Sequence, residues 1–279
     1  MTSAHLAVPG ASLYYKTQGN GPLLLLLQGG DGDADASDAL AKYLADRFTV
    51  LSYDRRGLSR STITDPSAPV DLATHSDDAA HLIAAVTAQP AVVFGTSLGA
   101  LLGLELLLRH PELVHLLVAH EPPTTQLLAQ PDQSLAVKEQ EAVEAAYRDD
   151  GVMAAMRKFV ALTGIRFDDR EPDVVLPESK PERLANLEFF LAHDAPAARR
   201  YRLDLPALRS LAPRILPAAG ENTQAFPRRC AEALAVDLGR PLITFPGGHN
   251  GSVLRPRTFA ARLLQVLGTG EIGTASASA

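Results

Sequence analysis

The sequence predicts an α/β chain: a mostly parallel, twisted sheet flanked by helices, with a helical insertion after one of the later strands. Three observations predict it. Short β-forming runs alternate with helix-length runs from Ala11 to Ala119 and again from Arg214 to Leu267, the pattern of strands joined by crossover helices. Leu23 to Leu27 is apolar on both faces, as a strand buried inside a parallel sheet must be. Gly95-Thr96-Ser97-Leu98-Gly99 falls at the junction between the β-forming Val92-Val93-Phe94 and the helical run Ala100 to His110.

In chain order, Ala11 to Thr17 reads as a strand closed by the turn Gly19-Asn20-Gly21-Pro22. The leucine strand leads into the loop Gln28-Gly29-Gly30-Asp31-Gly32-Asp33 and a helix over Asp38 to Ala45. Phe48 to Tyr53 is the next strand, running into Asp54-Arg55-Arg56-Gly57-Leu58-Ser59-Arg60-Ser61. A helix over Ala73 to Ala88 precedes the Ser97 junction, and Leu113 to Ala119 is a strand after it. From Glu121 to about Leu208 the alternation stops, and the spacing predicts helices over Val137–Tyr147, Val152–Leu162 and Pro181–Ala192. Alternation resumes with strands at Arg214–Ala219 and Pro241–Phe245 and helices at Phe226–Asp237 and Phe259–Leu267. The expected organisation is therefore a core over 1–123 and 209–268, a helical lid over 124–208 and a flexible tail over 269–279.

Composition narrows the classes of function. The 279 residues are 46% hydrophobic and 21% charged, enough for a sizeable core. The net charge is −6 and the basic residues are scattered, so nucleic acid is not an expected partner. Cys230 is the single cysteine, and no disulfide framework is possible. With no basic-then-apolar leader and no long apolar run, the expectation is a cytoplasmic protein, monomer or homodimer, with no membrane segment.

The chemistry centres on Ser97. A sharp strand–turn–helix lifts a serine hydroxyl above the sheet edge, and the flanking glycines allow the close approach of backbones that such a turn requires. A serine hydroxyl is a weak nucleophile and needs a base. His249, in the glycine-flanked loop Phe245-Pro246-Gly247-Gly248-His249-Asn250-Gly251 after the last strand, is the candidate. His75 and His81 are read as surface-helix residues. A carboxylate must orient the imidazole, and Glu121 and Glu221, each just after a strand, compete for that role. Glu121 is favoured, because strand and helix return the chain beside Ser97 and Pro122-Pro123 fixes the backbone there. The N–H groups of Leu98 and Gly30 are the candidate oxyanion donors. Met153, Met156, Phe189 and Phe190 are candidate pocket residues of the insertion. Asp31-Gly32-Asp33-Ala34-Asp35 resembles the start of a calcium loop, but Ala36 and Lys42 occupy the positions that need Gly and Glu, and no two histidines have metal-ligand spacing. No metal or cofactor is expected.

Gly29-Gly30, Asp54-Arg55-Arg56-Gly57-Leu58-Ser59, Gly95-Thr96-Ser97-Leu98-Gly99 and Gly248-His249, in that order, resemble the α/β-hydrolase superfamily. Related sequences often carry an Asp three residues after the Gly equivalent to Gly220, and here that residue is Thr223. A closer likeness is to zearalenone lactonase-type hydrolases, whose His-Glu-x-Pro-Thr segment is matched by His120-Glu121-Pro122-Pro123-Thr124. The resemblance implies Glu121 as the triad acid. Those lactonases use a lid tryptophan on their substrate, and this chain has none. The expected function is cofactor-free hydrolysis of a small apolar ester or lactone through an acyl-enzyme. A cyclase or acyltransferase on the same fold, or a ligand receptor, are the alternatives.

Overall fold

A computed structural model describes residues 1–65, 70–175, 181–224 and 226–268. The expected tail, 269–279, lies outside the described residues. Among these residues nine strands form one sheet: β1 (Thr2–Val8), β2 (Ala11–Gln18), β3 (Leu23–Leu27), β4 (Thr49–Tyr53), β5 (Thr62–Ile63), β6 (Ala91–Thr96), β7 (Val114–His120), β8 (Ile215–Gly220) and β9 (Ile243–Phe245). Their order is β1-β2-β4-β3-β6-β7-β8-β9, with β5 beside β2. Pairing is antiparallel at the β1, β2 and β5 end and parallel from β4 to β9.

The leucine run of β3 shows why the sheet is covered on both sides. Leu23, Leu25 and Leu27 join one core with Leu82, Ile83 and Leu102, from α2 (Leu72–Val86) and α3 (Leu98–Arg109). Leu24 and Leu26 join a second core with Leu40 and Leu44 of α1 (Asp38–Leu44) and Phe259 and Leu263 of α11 (Pro256–Gly268). Successive side chains alternate between faces, so a strand with five buried leucines must have a helical layer on each. In the second region of strands, α9 (Phe226–Leu238) joins β8 to β9, and the one-turn α10 (Gly251–Leu254) follows the His249 loop after β9.

Between β7 and β8 the chain forms α4 (Asp132–Asp150), α5 (Val152–Thr163), α6 (Pro181–Phe189), α7 (Ala195–Arg200) and α8 (Leu205–Ser210). Gly151 joins α4 to α5 at φ +82° and ψ −177°, a conformation that only glycine adopts without strain. Val143, Ala146, Ala155, Phe190 and Leu191 of this insertion pack into the same core as α3. The third predicted helix does not stop at Ala192. It widens into a π-helical turn over Phe190–Asp194, with the Ala195 N–H bonded to the Phe190 carbonyl, and continues as α7. Pro196 explains the widening: it has no N–H to donate, and its ring would clash with the carbonyl four residues back in a regular helix. Strand β1 is the element that periodicity does not reveal. It is largely exposed and paired through the Pro9-Gly10 turn, with Gly10 at φ +74°. Among the described residues, no helix is long and apolar enough to cross a membrane.

Candidate active site

Parallel register brings the site together. Leu27 pairs with Gly95, and Thr96 pairs with His120. The residues that follow, Gly29, Ser97 and Glu121, therefore emerge side by side at the carboxyl ends of β3, β6 and β7. Ser97 sits at φ +54° and ψ −123°, and its N–H donates to the His120 carbonyl at 2.8 Å. The glycines around it are required by space. A Cβ on Gly95 would lie 2.4 Å from the Gly99 carbonyl oxygen, and one on Gly99 would lie 2.0 Å from that of Leu27. Holding a serine at this φ stores roughly 1–3 kcal/mol of strain, which the surrounding sheet must impose.

Glu121 is also at positive φ, +52°, and its N–H donates to the Ala218 carbonyl at 2.9 Å. Its carboxylate is fully buried and accepts two hydrogen bonds: from His249 Nδ1 at 2.5 Å and from the Gly220 N–H at 2.8 Å. The Nδ1–H donating to Glu121 leaves His249 Nε2 as the acceptor nitrogen. Burial alone would push the Glu121 carboxyl up, but His120, His249 and the Gly220 N–H outweigh it and hold the carboxyl at about 2. Burial drives His120 itself down to about 4. His120 itself points away from this pair, into a ring cluster of Phe94, Phe245 and Phe259. Glu221, the competing acid, is exposed.

Two cavities meet at Ser97 and His249. A narrow chamber of about 60 Å³ is walled by apolar residues including Leu98, Phe159, Leu162, Phe190 and Phe226. A wider cavity of about 740 Å³ runs past the Gln28–Asp33 loop and takes Met156 and Phe159 into its wall. Of the four candidate pocket residues, Phe190 lines the chamber and Met156 the wider cavity, and Met153 and Phe189 line neither. Met153 is 64% exposed, because it lies two residues before the buried Ala155 and so on the opposite side of α5. Phe189 lies against Gly57, where a Cβ would come within 2.3 Å of its ring, and beside His193, and it lines neither cavity.

Gly30, at φ +48°, opens onto the wide cavity, and Leu98 begins α3 beside the chamber. The Leu98 N–H is the first of its helix and has no intrahelical acceptor. The loop that carries Gly30 is anchored by a residue the sequence reading did not single out. Arg55 is buried, donates from Nη1 to the Gln28 carbonyl at 2.9 Å, and donates from Nη2 to the Gly30 carbonyl. The same Nη2 lies 3.0 Å from Asp194 Oδ2, and Asp194 Oδ1 lies 3.1 Å from His75 Nε2. His75, expected on a surface, is thus buried in an ion network. Burial would push the Asp194 carboxyl up, and His75 and Arg55 bring it below the usual range. Asp194→Asn is expected to cost about 3 kcal/mol of unfolding free energy, since it leaves the buried Arg55 guanidinium without its counter-charge. Denaturant midpoints of the two proteins check this.

The remaining charged residues of the glycine loop and the Asp54 segment are engaged in ion pairs and caps. Asp33 caps the short helical turn after it, Asp35 pairs with Lys16 and Arg60, and Asp31 pairs with Arg183. Asp54 holds Arg60 at 2.7 Å, and Arg56 is paired with Asp78 at 2.6 Å.

Comparison with known proteins places the fold in a family. Residues 22–166 match the model of the alpha/beta hydrolase fold family. The chain is 38% identical over 267 residues to an uncharacterized hydrolase from Bacillus subtilis, covering 94% of each. It is 30% identical over 131 residues to a zearalenone hydrolase from Bionectria ochroleuca, covering 45% of this chain and 49% of that one. Among solved structures, a hydrolase from Pseudomonas aeruginosa superposes with a TM-score of 0.69 at 27% identity, covering 95% of this chain and 98% of that one. With a positive-φ serine at a strand–helix turn and a family match that takes in more than half the sequence, the chain belongs to the α/β-hydrolase fold family and is a hydrolase.

Proposed function

We propose that the protein cleaves a carboxylic ester or lactone through an acyl-enzyme on Ser97. One observation carries this reading: Ser97 opens onto the same cavities as His249, whose Nδ1 is held by Glu121 at 2.5 Å. His249 Nε2 takes the Ser97 hydroxyl proton as Oγ bonds to the substrate carbonyl carbon. The carbonyl oxygen takes up the negative charge and is held by the Gly30 and Leu98 N–H groups. The tetrahedral species collapses, and the leaving alkoxide departs with the proton from Nε2. Water then attacks the acyl group, gives its proton to Nε2, and releases the acid as Ser97 recovers its own. Nucleophile, base and oxyanion donors all come from the chain, and the reaction as written uses no cofactor. Residues 124–208 act as the lid over a core of 1–123 and 209–268.

An apolar ester or lactone suits the apolar chamber, and the partial match to a zearalenone hydrolase supports a lactone among the substrates. The test is labelling with a fluorophosphonate followed by peptide mass analysis. One adduct per chain on Ser97 is the expected result, and an unmodified Ser97 under conditions that label a control serine hydrolase would refute the acyl-enzyme mechanism.

A further inference from the structure

Among the described residues that line the narrow chamber beside Ser97, one side-chain oxygen is buried with no hydrogen-bond partner. Helix α4 presents a stripe at helical spacing, Ala136, Gln140, Val143 and Tyr147, on its packed side. Three members of that stripe are apolar or aromatic, and the fourth is a glutamine. Gln140 forms part of the chamber wall, and its Oε1 is buried with no hydrogen-bond partner among the described residues. The other polar side chain that α4 contributes to the wall, Glu144, differs: Arg199 donates to both of its carboxylate oxygens, at 2.6 and 3.0 Å. A buried amide oxygen with no partner is destabilising, and a site that leaves one open favours a ligand that fills it.

We propose that Gln140 is a specificity-determining residue that receives a hydroxyl on the short limb of the substrate, so that this hydrolase prefers hydroxyl-bearing esters or lactones over their deoxy parents. The inference rests on the ester or lactone reading of Ser97. The partner is uncharged, because the carboxylates in the chamber wall are already engaged, Glu144 by Arg199 and Glu121 by His249, and most of the remaining wall is apolar. A hydroxyl suits either face of the amide, since it donates to the oxygen and accepts from the nitrogen. The limb is short: about 60 Å³ accommodates roughly four to six non-hydrogen atoms. A bulky leaving group therefore occupies the wide cavity, and the acyl chain enters the chamber.

The test compares 4-nitrophenyl butanoate, pentanoate and hexanoate with the 3-hydroxybutanoate, 3-hydroxypentanoate and 6-hydroxyhexanoate. Wild type is expected to favour at least one hydroxylated ester by ~10-fold in kcat/KM over its parent. Gln140→Met, of similar length and without the amide, is expected to remove or invert that preference while raising activity on the parent. Gln140→Leu serves as the second variant, and thermal melting confirms that both fold. A parent-to-hydroxyl ratio that is the same in wild type and in both variants overturns the proposal. Binding of unreactive butanamide and 3-hydroxybutanamide, followed by ligand-observed NMR, reads the preference without turnover. A Gln140-dependent preference in binding with an unlabelled Ser97 would keep this subsite and sink the serine mechanism. Equal binding with a labelled Ser97 would do the reverse.

Discussion

Ser97→Ala is expected to lower kcat by ~10³-fold or more on any ester the protein turns over, with a thermal midpoint close to that of wild type. The size of the loss follows from what remains. The variant keeps His249, Glu121 and the N–H donors of Gly30 and Leu98, so residual hydrolysis reflects binding and oxyanion stabilisation with water as the nucleophile. The unchanged stability follows from what the hydroxyl does not do. The backbone bond from the Ser97 N–H to the His120 carbonyl, 2.8 Å, holds the strand–helix turn, and alanine meets the same strain at φ +54° that serine does. The two measurements together separate chemistry from folding. A variant that melts normally and turns over at the wild-type rate would exclude Ser97 as the nucleophile.

The parts of this molecule that were legible in the sequence are those whose cause is local. Five consecutive leucines announce a strand covered on both faces, and the two cores divide them by alternation. Gly95 and Gly99 around Ser97 announce close backbone contact, and the contacts a Cβ would make there are prohibitive. Between Glu121 and Glu221 the sequence expresses only a preference. What brings the Glu121 carboxylate to His249 is the register between β6, β7 and β8, a non-local property. The exposure of Met153 is not legible in the sequence, because in a helix with apolar residues on several sides the sequence does not say which side meets the core. The Arg55–Asp194–His75 network was invisible for a different reason. Its members come from three separate elements, Arg55 and Asp194 being 139 residues apart, and Asp194 lies in the π-helical turn that precedes Pro196. Buried charge in a loop and in two outwardly ordinary helices leaves no periodic trace.

Glu121→Gln is expected to lower kcat by ~10²–10⁴-fold with a small change in KM, whereas Glu221→Gln is expected to resemble wild type. The carboxylate of Glu121 meets two donors at once, the His249 Nδ1–H at 2.5 Å and the Gly220 N–H at 2.8 Å. Glutamine has one acceptor oxygen and one NH2 group. Whichever way the amide lies, one of those donors faces another donor at a buried position. If the imidazole yields, it adopts the other tautomer or turns, and Nε2 no longer accepts the Ser97 proton. If the Gly220 N–H yields, the β7–β8 edge loosens and the imidazole loses its fixed seat. Substrate still meets both cavities, which is why KM changes little. A second readout is acid stability. The Glu121 carboxyl is held at about 2 in the folded protein against an ordinary 4.5, so its contribution is fully present above pH 4.5 and is lost as the pH falls through about 2. The stability gap between wild type and Glu121→Gln should therefore be widest near neutral pH and should shrink on acidification, measured by urea midpoints from pH 7 down to pH 2.5. Full activity in Glu121→Gln, with Glu221→Gln inactive, would move the orienting carboxylate to the loop after β8 and leave the buried Glu121 a structural role alone.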